Sequence, residues 1–199
     1  MIYKIIIYIS SGTQKGFTLI EAFVAITILI MALVGPLAIA SQSATLASVS
    51  QDQITANFLA QDAIEYIRWV RDTNELKGSS PSWISGLDVC VNGYNVSAKD
   101  AKACEIDSSY LGTTLHIQPC ATNQCTDILK YDVYTGLYGY TRGVDSPFTR
   151  TISILEPQNK SCPGCEEAVT VTVSWTNGAL QHHVTLSENL MPTFGSAGT

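Results

Sequence analysis

Six cysteines, three histidines and one carboxylate at the edge of an apolar run are the side chains whose types and spacing could do chemistry. Cys162-Pro163-Gly164-Cys165 has the C-x-x-C spacing of thiol oxidoreductases and zinc knuckles. Cys120 and Cys125 could complete a four-thiolate zinc site with it. A redox motif of that kind opens a helix after a strand, which lowers the thiol pKa. Here it lies between two strand-like segments and is followed by Glu166-Glu167, whose charges would raise it. His116, His182 and His183 have no ligand spacing among themselves, so no metal site is assigned. There is no nucleophile elbow, phosphate loop, zincin helix or paired-carboxylate arrangement. The chain is therefore read as no enzyme, with no catalytic residue and no cofactor.

The carboxylate is Glu21. From Ala22 to Ala40 nothing is ionisable. A run of about 20 apolar residues is long enough to cross a bilayer as a helix. A charge at such a helix costs roughly 2.5–3.5 kcal/mol on insertion scales, so Glu21 needs a partner. Lys4 and Lys15 precede the run, and the first ionisable groups after it are Asp52 and Asp62. The positive-inside rule then puts the N-terminus in the cytoplasm and everything past the run outside. Outside is oxidising, so Cys90, Cys104, Cys120, Cys125, Cys162 and Cys165 are expected in disulfides. Six cysteines allow 15 connectivities. Pairing neighbours, Cys90–Cys104, Cys120–Cys125 and Cys162–Cys165, staples loops without crossing the sheet.

These groups must be positioned by one long helix and a set of strands. The length of 199 residues has room for one modest globular domain beside the helix. A net charge of −6, with no cluster of Lys or Arg, argues against a nucleic-acid partner. Phe17 to about Thr73 reads as a single helix. Gly35-Pro36 interrupts its apolar part and predicts a kink or local melting. Farther on, Ala56, Ala60, Ala63, Ile64, Ile67 and Val70 fall on one stripe, with Asp52, Gln61, Asp62, Glu65, Arg68 and Arg71 opposite. Gly78-Ser79-Ser80-Pro81 ends the helix. Beyond it, Asn92-Gly93 signals a two-residue hairpin between Val89–Val91 and Tyr94–Val96. Thr113–Ile117, Ile128–Tyr134 and Phe148–Leu155 are strand candidates. Tyr138 and Tyr140 are read as loop or edge. The strongest hairpin joins Val169–Trp175 to His182–Ser187, with Val169, Val171, Val173 and Trp175 facing the helical stripe. The order helix, then antiparallel strands predicts an α+β fold.

Lys15-Gly16-Phe17-Thr18-Leu19-Ile20-Glu21 resembles the processing junction of class III prepilins, the type IV pilins and the pseudopilins of type II secretion. Their pattern is a leader ending in Gly, a methylatable Phe, then Thr-Leu-Ile-Glu opening an apolar helix. Gly16 through Glu21 match it without a substitution, and the resemblance covers roughly residues 15 to 75. The apolar Ile5–Ile9 departs from the short polar leaders usual in the family. The resemblance implies a leader 1–16, a transmembrane and assembly half-helix 17–40, an amphipathic half 41–77 packed on the globular part, and an extracytoplasmic β-rich region 78–199. It implies cleavage after Gly16 by a prepilin peptidase, N-methylation of Phe17, and loosening of the helix near Pro36. It also implies that Glu21 is neutralised by the amine created at Phe17 of a neighbouring subunit. The expected partners are other pilin or pseudopilin subunits, the peptidase/methyltransferase, an inner-membrane assembly platform and membrane lipid. The expected product is a subunit, in a minor role, of a pilus-like or pseudopilus filament. The alternative is a single-span anchored binding domain that does not polymerise.

Overall fold

The structure is a computed structural model, and it describes residues 16–77, 82–93, 96, 100–109, 116–156 and 165–193. The chain divides into two compact units, Met1–Ser48 and Val49–Thr199. Helix α1 (Leu19–Leu76) begins in the first and continues into the second. Within the first unit it has no ionisable residue from Ala22 to Ala40 and turns to Ser, Thr and Gln from Ser41 on. Its most apolar 18-residue stretch has mean hydropathy 2.6 and is 0% buried. Among the described residues this is the one helix long and apolar enough to cross a membrane. It carries Gly35 and Pro36 in its interior without a break.

In the second unit the same helix becomes amphipathic. Ala56, Ala60, Ala63, Ile64, Ile67 and Val70, the expected stripe, are all buried, joined by Leu59 and Tyr66. They pack on an eight-stranded sheet. Its strands are β1 (Val91–Asn92), β2 (Cys104–Ile106), β3 (Ile117–Pro119), β4 (Ile128–Asp132), β5 (Leu137–Gly139), β6 (Val144–Leu155), β7 (Glu167–Asn177) and β8 (Leu180–Leu190). β6 is the hub. One of its edges pairs with β7 over eight residues, and the other is shared by β4, β2 and β1. All pairings are antiparallel except β1 with β6. The period of two holds on β7, where Val169, Val171, Val173 and Trp175 are buried. Phe148, Ile152 and Ile154 share that face from β6. Aromatic rings continue it across the sheet, from Tyr131 through Tyr138, Phe148 and Trp175 to His182, at centroid spacings of 5.0, 6.3, 6.0 and 5.5 Å.

The turn expected at Asn92-Gly93 does not begin at Asn92. Asn92 lies within β1 and pairs in parallel with Leu155. Its amide is buried, which is why it cannot serve as a turn. Nδ2 lies within 3.1 Å of Cys90 O, 2.9 Å of Lys102 O and 3.2 Å of Ile154 O, and Oδ1 accepts from Lys102 N. A short polar side chain here ties together buried backbone groups from three parts of the chain. The strand expected at Thr113–Ile117 appears as β3, which starts at Ile117; Thr113–Leu115 lie outside the described residues. Tyr138 occupies the short edge strand β5. The Gly78–Pro81 stop, Tyr94 and Asn95 also lie outside the described residues.

Polar groups inside the core were not legible in advance. Arg150 is 0% exposed, on the same face of β6 as Phe148 and Ile152. Its Nη1 donates to Leu59 O at 3.0 Å and to Asp62 Oδ2 at 3.1 Å, and its Nη2 donates to Ile106 O at 2.5 Å. One guanidinium thus ties α1 and the end of β2 to the central strand.

Glu167, at the start of β7 opposite Leu190, is 2% exposed. Its Oε2 has no hydrogen-bond partner among the described residues. Burial, and then the charge of Glu156, push its pKa up from 4.5 to about 7. The folded value lies above the unfolded one, so folding favours the protonated acid. That contribution is full below pH 4.5 and is lost as pH rises through about 7. Stability should fall by about 2–3 kcal/mol from pH 5 to pH 8, and Glu167→Gln should flatten this dependence. Urea midpoints of the full chain in detergent at the two pH values measure it; an equal slope in the glutamine variant would assign the dependence elsewhere.

Candidate functional site

The site is the tip of α1. Thr18 precedes the first helical residue and Glu21 is the third, the spacing of a capping box. Glu21 N donates to Thr18 O at 3.0 Å and lies 3.4 Å from Thr18 Oγ1. Gly16, Phe17 and Glu21 are all exposed, Phe17 at 79%. Behind them Leu19, Ile20, Phe23, Leu29, Met31 and Leu37 are each more than half exposed. A helix apolar all round, with nothing packed on it, is built for lipid or for other helices. The geometry brings one acid to the start of that surface, on a backbone already fixed by its cap. Residues 1–15, the expected leader, lie outside the described residues.

The cysteines belong to the other unit. Cys90–Cys104 and Cys120–Cys125 are disulfides, each with Cα atoms 5.2 Å apart, the neighbour pairing expected. The first joins the turn before β1 to β2 and is buried at both ends. Cys165 is also oxidised, while Cys162 lies outside the described residues. Glu105 Oε approaches both Cys120 and Cys125 sulfurs, all within 4.8 Å of one another. With the two sulfurs bonded together, neither is a thiolate that zinc could take.

Beside them, Glu105, Asp107, Asp127, His116 and Tyr140 line a cavity of about 70 Å³. Desolvation, then the Asp127 charge, raises the Glu105 pKa, while Asp127 N donates to it at 3.2 Å. Asp107 is spent on structure: Oδ2 accepts from Tyr140 N at 3.1 Å and Oδ1 from Ser109 N at 3.1 Å. That packing leaves no room at Gly139, where a Cβ would meet Ser109 Oγ at 2.5 Å. The tyrosines split accordingly. The Tyr140 hydroxyl is buried and its pKa is pushed up to about 12 by desolvation, whereas Tyr134 is 96% exposed. His182 stacks on Trp175, His183 is exposed and His116 borders the acidic cavity, so the three do not meet.

No family model, curated protein or solved structure matches this chain. Fold and site define an α+β protein with one long N-terminal helix, apolar enough at its start to span a membrane and amphipathic where it packs on an antiparallel sheet. With its disulfides, that arrangement is compatible with a pilin-like fold.

Proposed function

We propose that this chain is a structural subunit, in a minor role, of a type IV pilus-like or pseudopilus filament. It enters the inner membrane with its N-terminus in the cytoplasm. It is then cleaved after Gly16, N-methylated at Phe17, and drawn into a bundle of like helices. The observation that carries this reading is a coincidence at one point of the chain. The Gly16/Phe17 junction, the Thr18 cap and the lone acid Glu21 all sit at the start of the unburied, apolar first stretch of α1. Lipid tails are as apolar as leucine, so such helices gather through close packing and polar contacts rather than hydrophobic drive. An acid facing a neighbour's new amine is such a contact, strong because the surrounding dielectric is low. Disulfides in the sheet-bearing unit agree with its placement in an oxidising compartment. The working partners are then other subunits, the processing peptidase/methyltransferase, an inner-membrane assembly platform and lipid.

Mass spectrometry of the N-terminus, on protein from membranes and from sheared filaments, tests this directly. The expected mature chain begins with N-methylated Phe17 and is present in both fractions. An uncleaved chain, or one confined to membranes, would support a solitary anchored domain instead.

A further inference from the structure

Among the described residues four strands pair with a single neighbour, β1, β3, β5 and β8, and they are not alike: β1 is only two residues long. β3 and β5 are three residues each, and β3 ends in Pro119. Short strands and proline are the usual means of closing a sheet edge to other chains. β8 has neither. It runs eleven residues and pairs with β7 through eleven successive positions without a bulge. It contains no Pro, Gly or Lys. Its one acid, Glu188, points to the inner face, where Arg68 Nη2 lies 2.5 Å from both carboxylate oxygens. The outward row, Gln181, Thr185, Ser187 and Asn189 with His183, carries no carboxylate and no lysine or arginine.

The strand is also its own complement. Read against itself in reverse about Thr185, Leu180 meets Leu190, Gln181 meets Asn189, and His182 meets Glu188. His183 meets Ser187, Val184 meets Leu186, and Thr185 meets Thr185. Thr185 is the middle residue of β8. A slip of two residues either way destroys the match, placing Glu188 opposite Val184 or Leu180. Register is set by such pairs. Val184 and Leu186 are only half-buried at the margin of the core, and a further strand would cover them.

We propose that β8 pairs antiparallel with β8 of a second copy of this chain, about a two-fold axis through Thr185, so that two sheets become one. The contact is isologous and closes at two copies. It does not depend on the helix contacts of a filament.

Single cysteines read it out in the full chain, in membranes. Residues directly opposite in antiparallel strands have Cα atoms about 4.5–5.5 Å apart, within disulfide range. Under mild oxidation Thr185→Cys should shift most of the protein to twice its mass on a non-reducing gel. Thr172→Cys, on β7 one strand inward, should not. Gln181→Cys and Asn189→Cys should each stay monomeric alone and cross-link when co-produced, and adding Thr185→Lys to both should abolish that product. Three results would overturn the proposal: Thr185→Cys remaining monomeric while its thiol alkylates freely, Gln181→Cys alone cross-linking as well as Thr185→Cys, or Thr185→Cys capturing only another polypeptide.

Discussion

Arg150→Ala lowers the stability of the sheet-bearing unit by about 3–5 kcal/mol, the range seen when a large, fully buried side chain is cut back to alanine. The cost does not come from the ion pair alone, because the Asp62 side chain is 49% exposed and such a pair contributes little by itself. It comes from what the fork reaches. Leu59 O and Ile106 O lose their shared donor inside the core, and the guanidinium's volume becomes a cavity between helix and sheet. An ordering follows. Arg150→Lys should be nearly as damaging, since an ammonium is a point donor and cannot span from α1 to β2. Asp62→Asn should cost under about 1 kcal/mol. Urea unfolding followed by tryptophan fluorescence is suited to this, because Trp83 and Trp175 are buried at 8% and 4% exposure. If Asp62→Asn proved as costly as Arg150→Ala, the salt bridge rather than the carbonyl contacts would be the working part.

What could be read in the sequence follows from periodicity. The helix stripe from Ala56 to Val70 and the β7 row from Val169 to Trp175 announce themselves because burial repeats at 3.6 and at 2. The two neighbour disulfides were accessible for a related reason, since short loops bring their ends together. Arg150 left one faint signal, a charge at the inward position between Phe148 and Ile152. Asn92 left a false one. Asn-Gly suits a tight turn only if the asparagine is free to leave the sheet, and here its amide serves two segments distant in sequence, at Lys102 and Ile154. Parallel pairing of β1 with β6 is also invisible locally, because its partners are over 60 residues apart and no turn joins them. At the tip of α1 the residues show only their resemblance to a processing junction; that Thr18 also caps the helix, through the Glu21 backbone N–H, comes from the geometry.

The charge of Glu21 can be separated from the cap, which uses only its backbone N–H, and the separation gives the largest functional effect expected here. Glu21→Ala and Glu21→Val remove a charge whose insertion costs roughly 2.5–3.5 kcal/mol, so neither should reduce the amount of protein in the membrane. The cap is kept in both, because Thr18 Oγ1 faces the backbone N–H of residue 21 and not its side chain. Assembly is different. If each subunit docks by setting Glu21 against the amine of a neighbour's Phe17, losing about 2 kcal/mol per contact lowers incorporation roughly thirtyfold. Glu21→Gln distinguishes charge from shape, because it keeps the size and the capping geometry while removing the anion. It should insert, be cleaved after Gly16, and still fail to enter sheared filaments. Quantifying cleaved protein in membranes and in sheared material, for wild type and the three variants, gives each step its own readout. Normal incorporation of Glu21→Gln would show that the charge of the acid does not engage the neighbour, and the stagger between subunits would have to be set by packing alone.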